Sequence, residues 1–146
     1  MLRRKVLVAL ASFSLLGLAT GAPAADVPKQ SAEKQRVVLQ VSDDNPKTWN
    51  QALNVIENVQ QAYGKENVDI KLVALGYGIG ILLLDSPNGG RVQDALKSGA
   101  QIAACEVTMG RRKLSRDDML PNISYVPAGV IEIIEAQRQG WTVIRP

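Results

Sequence analysis

The sequence predicts an α/β domain with a mostly parallel five-stranded sheet covered by helices on both faces. Two patterns carry that expectation. Short β-branched or apolar runs alternate with helical periodicity along the whole folded region, which implies crossover connections and a parallel sheet. The short strands also lack clean polar-apolar alternation, as expected when both sheet faces are covered.

Val37-Val38-Leu39-Gln40-Val41 is the first strand, ended by Ser42-Asp43-Asp44-Asn45. Pro46 suits the first position of a helix capped by Asn45 or Asp44. From Lys47 to about Tyr63, residues Trp49, Ala52, Leu53, Ile56 and Val59 form one apolar stripe, and Gly64 closes the helix. Val68 to Leu75 is the second strand, bounded by Gly76. Ile79 to Leu84 is densely apolar, and a loop of Asp85-Ser86-Pro87-Asn88-Gly89-Gly90 follows. Val92, Ala95 and Leu96 mark a short helix that stops at Gly99. Ala100 to Cys105 is the third strand, followed by a helical turn from Val107 to Lys113. Ser115-Arg116-Asp117-Asp118 reads as a helix start stopped by Pro121. Ile123 to Val126, Pro127 to Gln139 and Trp141 to Ile144 give the fourth strand, the last helix and the fifth strand.

The amino terminus has a different character. Arg3, Arg4 and Lys5 precede an apolar run from Val6 to Leu18, and Ala22-Pro23-Ala24 supplies small residues at a cleavage site. This is the pattern of a secretory signal peptide over residues 1–24, with an uncleaved anchor as the alternative. Residues 25–35 read as a flexible polar leader and 36–146 as one folded domain. The expected location is periplasmic, with no stable membrane insertion once the signal is removed. The Arg3-Arg4 pair leaves Sec and twin-arginine export both open. The chain has 17 basic and 14 acidic residues, and three of the basic ones lie in the signal, so the mature domain is formally neutral. A basic nucleic-acid-binding face therefore loses its support.

Cys105 is the only cysteine, and there is no histidine. Cys-His and Ser-His-Asp hydrolase mechanisms and His-ligated zinc are excluded. In an exported protein a lone thiol is buried and inert, paired with another molecule, or reactive. Cys105 ends a strand and precedes a helical turn, where backbone N–H groups favour the thiolate, and Arg111 and Arg112 add positive charge nearby. Burial as a small apolar residue is the competing reading.

Three loops are expected at the carboxyl edge of the sheet: Ser42 to Asn45, Gly76 to Gly80 and Cys105 to Gly110. They make Asp43, Gly76, Tyr77, Thr108 and Met109 candidate pocket residues. Gly76-Tyr77-Gly78-Ile79-Gly80 has the wrong spacing and place for a dinucleotide loop. Asp43-Asp44 fits a turn and cap better than a cation site. No metal or organic cofactor is expected. The apolar Ile79–Leu84 segment suggests a subunit interface. Asn50, Asn54 and Asn58 form a row that is either solvated or bonded across an oligomer contact.

The opening Val41-Ser42-Asp43, the Trp49…Leu53…Asn54…Asn58 helix, Val73-Ala74-Leu75-Gly76 and Cys105…Thr108-Met109 resemble the DsrE family of small sulfur-relay proteins. So do Leu120-Pro121, Val126-Pro127-Ala128-Gly129-Val130 and, most specifically, Gln137-Arg138-Gln139-Gly140-Trp141. The resemblance spans 36–146 and is nearest to a stand-alone, here exported, branch. It implies a three-layer sandwich of flavodoxin-like topology and homo-oligomers, often trimers or hexamers. It also implies a sulfur carrier or sulfurtransferase-like activity, with a persulfide on Cys105, Arg111 and Arg112 as the paired arginines, and donor and acceptor proteins as partners. Glu106-Val107-Thr108 departs from the small-residue run of the sulfur-carrying members. The alternative is a non-catalytic oligomeric module with a structural cysteine.

Overall fold

The structure is a computed structural model that describes residues 34–146. The expected signal peptide and nearly all of the leader lie outside the described residues. Five strands, β1 (Gln35–Val41), β2 (Val68–Ala74), β3 (Gln101–Cys105), β4 (Ser124–Val126) and β5 (Thr142–Ile144), form one sheet in the order β4-β3-β2-β1-β5. Every pairing is parallel. The order departs from the 2-1-3-4-5 of flavodoxin itself, because β1 lies between β2 and β5. Four α-helices connect the strands: α1 (Pro46–Tyr63), α2 (Gly89–Lys97), α3 (Glu106–Arg112) and α4 (Gly129–Arg138). No helix among the described residues is long and apolar enough to cross a membrane.

The strand order explains how the helices are distributed. The connections from β1 to β2, β3 and β4 all step in one direction across the sheet. A right-handed crossover then puts them all on one face. The connection from β4 to β5 steps back past β1, which sends α4 to the other face.

The larger core joins Leu39, Leu72 and Ile102 to Leu53 and Ile56 of α1, Val92 of α2 and Met109 of α3. The smaller one has Val38, Val73, Ile133 and Ala136 as its buried members, with Leu75, Val126 and Trp141 at its margin.

Local signals set the element ends. Asn45 caps α1 by accepting a hydrogen bond from the Lys47 N–H at 3.0 Å, and Pro46 follows as the first helical residue. The indole N–H of Trp49 donates to the Asp43 carbonyl at 2.7 Å, which pins the β1–α1 turn. Ser115 and Asp118 form a reciprocal capping box around a single 3-10 turn at Arg116–Asp118.

One sequence-based expectation is corrected by the packing, and another gains a partner within the chain. The segment after β2 folds as a 3-10 helix, Gly76–Leu82, and Ile79, Ile81 and Leu82 sit wholly inside the larger core. A subunit interface built on them is therefore ruled out; only Leu84 of that run is exposed. The segment fits because Gly78 lies against the Val41 carbonyl, where an added Cβ would come within 2.3 Å of the oxygen. The asparagine row is exposed at Asn50 and Asn54, and both of these side chains also bond within the chain. Asn50 and Asn54 accept hydrogen bonds from Arg91 at 2.9 and 2.8 Å, and Asn50 also accepts one from Asn88. The row thus ties α1 to α2.

Candidate functional site

Ligands in an open parallel sheet gather at the carboxyl edge, where neighbouring strands send their connections to opposite faces. Here that point falls between β3 and β4: β3 exits towards the α1 face and β4 towards α4. Cys105 is the last residue of β3 and pairs with Val126, the last residue of β4. Its side chain shares the α4 face with Ala103, two residues earlier on the strand.

Gly129, the first residue of α4, donates its backbone N–H to Cys105 Sγ at 3.2 Å. That approach requires a residue without a side chain. A Cβ on Gly129 would lie 3.1 Å from Val73 Cγ1 and 3.2 Å from Cys105 Cβ and Leu75 Cβ. On the other side of the sulfur stands Thr108, in α3. Its Oγ1 accepts the Gly76 N–H at 3.0 Å, which fixes the hydroxyl in place.

Cys105 is 4% exposed. Burial pushes its thiol pKa up, but hydrogen bonds outweigh it: the Thr108 hydroxyl first, then the N–H groups of Gly129, Thr108 and Val107. The balance holds the thiol below its ordinary value, so the fold favours the thiolate. The sulfur is buried, yet it is surrounded by donors rather than enclosed by hydrocarbon alone.

Arg111 and Arg112 occupy the last turn of α3, the opposite end of that helix from Cys105. They line a cavity of about 280 Å³ together with Gly76, Tyr77 and Thr108. Five of the expected site residues therefore meet in one place, and Thr108 is the one that touches both the cavity and the sulfur. Cys105 itself lies behind Thr108. Met109 points into the larger core instead. Asp43 belongs to the β1–α1 turn, with its carboxylate 4.0 Å from Arg145. Glu106, on the first turn of α3, is paired with Arg116 at 3.0 Å, and Arg116 also lies over the Tyr125 ring.

No group of three or more acidic or cysteine side chains able to hold a metal occurs among the described residues. A larger cavity, about 400 Å³, lies between the carboxyl-terminal ends of α1 and α2, bordered by Gln60, Lys65 and Asp94. It is at the opposite edge of the sheet from Cys105.

Gly129 is the functional neighbour that a reading of the sequence does not identify. The available signal is a glycine at the first turn of a helix, where it is a poor helix former. Its reason emerges only when the ends of β3 and β4 meet.

A search of curated proteins gives no match. Among solved structures, the protein of unknown function MTH1491 from Methanobacterium thermoautotrophicum is 29% identical, with a TM-score of 0.73 over 77% of this chain and 99% of that one. BT1422, a conserved protein of unknown function from Bacteroides thetaiotaomicron, is 16% identical with a TM-score of 0.61, covering 80% and 98%. The ychN protein of E. coli is 10% identical with a TM-score of 0.62, covering 77% and 99%. At those identities the last two show the fold alone. The DsrE/DsrF-like family model matches residues 36–146, essentially all of the described domain. The chain belongs to the DsrE/DsrF-like family, which is associated with sulfur relay.

Proposed function

We propose that this protein handles sulfur through Cys105, which accepts a sulfane sulfur, holds it as a persulfide and surrenders it to a partner thiol. The observation that supports this most is the donor set around Sγ: the Gly129 N–H at 3.2 Å and the Thr108 hydroxyl, sufficient to hold the thiol below its ordinary pKa despite burial. A thiolate is the form that attacks a sulfane sulfur. The same donors would stabilise a persulfide anion.

The reading includes export by the amino-terminal signal and assembly into a homo-oligomer. With Ile79–Leu82 in the core, assembly has to use another surface. Val130, Ile131 and Ile134 on the outer side of α4 are each about half exposed and form the apolar face available for it.

The 4% exposure of Cys105 favours a second reading, a non-catalytic assembly module whose cysteine is part of the packing. One experiment separates the two. Incubating the native protein with a sulfane donor is expected to add one sulfur, about 32 Da, by intact mass, and to add none to Cys105→Ser. If no mass is added and Cys105 alkylates only after unfolding, the assembly reading replaces the relay. Amino-terminal sequencing of exported protein is expected to begin at Ala25, and light scattering is expected to show more than a monomer.

A further inference from the structure

Arg111 and Arg112 are not among the groups that hold the Cys105 thiol down, and their surroundings suggest a different use. Arg111 and Arg112 make no hydrogen bond or ion pair with any described residue, whereas the one carboxylate on their helix, Glu106, is neutralised by Arg116. Two unpaired guanidinium groups thus border one concavity with no acid among its lining residues. Such a pair matches a carboxylate, which accepts parallel hydrogen bonds from guanidinium.

The rest of the lining, from Gly76, Tyr77, which is 71% exposed, Thr108 and the arginine stems, is largely apolar. At about 280 Å³ the cavity approaches the lower range of small-organic-ligand pockets, near 300 Å³, and is larger than a bare oxyanion fills. Charge and size together describe a low-molecular-weight organic acid.

We propose that this cavity docks the carboxylate of a low-molecular-weight thiol persulfide, which is the sulfur donor to Cys105. The assignment rests on the relay reading above. Arg111 and Arg112 hold the carboxylate, Tyr77 covers the stem, and the persulfide end points towards Thr108. Cys105 thiolate attacks the outer sulfur of R–S–SH. A Cys105–S bond to that sulfur forms, the donor's S–S bond breaks, and its electron pair leaves with R–S⁻. The product is Cys105–S–SH, so charge and electrons balance without an oxidant. The outer sulfur reaches Sγ past Thr108, so its hydroxyl has to turn away during transfer.

The test uses S-methylglutathione, an unreactive carboxylate thioether, with calorimetry on the native protein and on Cys105→Ser. Binding is expected to be equal in both, and to weaken about tenfold in each of Arg111→Gln and Arg112→Gln, the loss of one charge-assisted contact. Absence of binding, or equal binding by the arginine variants, overturns the proposal. Displacement by thiosulfate at matched concentration also overturns it, because the site then recognises a bare oxyanion. Glutathione persulfide serves as the reactive probe. It is expected to load Cys105 at a rate that saturates and falls in the arginine variants. If S-methylglutathione binds with the expected arginine dependence but glutathione persulfide adds no mass, the relay reading fails, and the donor assignment with it, while a carboxylate site remains.

Discussion

The two faces of the sheet are built to different depths. One is covered by α1, α2, α3 and the Gly76–Leu82 turn, and its core takes in alternate residues of β1, β2 and β3. The other is covered by α4 alone, where Ile133 and Ala136 of the helix meet Val38 and Val73 of the sheet, and the sheet there includes the charged Lys71, ion-paired to Glu132 and set against the Trp141 ring. Cys105 belongs to the second face, while its neighbour Ala104 belongs to the first. A one-residue step along β3 thus separates the more deeply packed face from the face that holds Cys105. Protein chemistry is commonly placed where packing is thinner, because a deep hydrocarbon core disfavours an ionised sulfur.

That contrast can be broken by mutation. Gly78→Ala on the thick face should have the largest effect. Its Cβ would collide with the Val41 carbonyl oxygen at 2.3 Å, and backbone cannot swing aside as a flexible side chain can. A loss of more than about 3 kcal/mol, seen as failure to fold or a collapse of the urea midpoint, is expected.

Next come truncations on the two faces. Leu39→Ala should cost about 3–5 kcal/mol and Ile133→Ala about 2 kcal/mol, since the first is wholly enclosed and the second, on the inner side of α4, lies at 7% exposure. Equal costs in urea unfolding would mean that the two faces do not differ in packing strength.

Gly129→Ala sharpens the comparison at the site itself. The added methyl pushes on Val73, Cys105 and Leu75, while helix propensity improves, so a net loss on the order of 1 kcal/mol is expected. Alkylation of Cys105 by a small reagent should then require higher pH, because the N–H has been moved from Sγ. A midpoint unchanged from the native protein would remove Gly129 from the thiolate's support.

Thr108→Val tests the largest of the favourable contributions and should also raise the alkylation midpoint. The sign for stability follows from a folded-state pKa below the unfolded one. Thiolate stabilisation is full above the unfolded value, about 8.5, and is lost as pH falls through the folded value. The native protein should therefore gain stability as pH rises through that window, and Thr108→Val should flatten the gain.

The smallest effect belongs to Arg91→Ala. Its contacts to Glu57, Asn50 and Asn54 are on the surface, with the Glu57 side chain two-thirds exposed, so about 0.5–1 kcal/mol is expected.

Element order, the Asn45-Pro46 helix start and the Ser115 turn were legible because they depend on local chemistry. The place of Cys105 at a strand end was legible for the same reason. The fate of Ile79–Leu82 was not, since apolar density does not say whether a segment is covered by its own fold or by a neighbour. Nor was the absence of Arg111 and Arg112 from the groups that hold the thiol down. Six or seven positions in sequence suggest proximity, but α3 carries the arginines away from the strand end along its own axis. Gly129 and Cys105 are 24 residues apart, and only the parallel pairing of β3 with β4 makes them neighbours.

The Gly129 contact also links the sulfur to motion. It comes from the first residue of the helix with the least buried support, and the chain beyond that helix is held by only three register pairs between β5 and β1. Segments of this kind open more readily than the core around them. Each time α4 lifts from the sheet, Sγ loses a donor and meets solvent at the same moment. Amide exchange at Gly129 and the reactivity of Cys105 are therefore two readings of one opening equilibrium, and a partner that clamps α4 would quiet both.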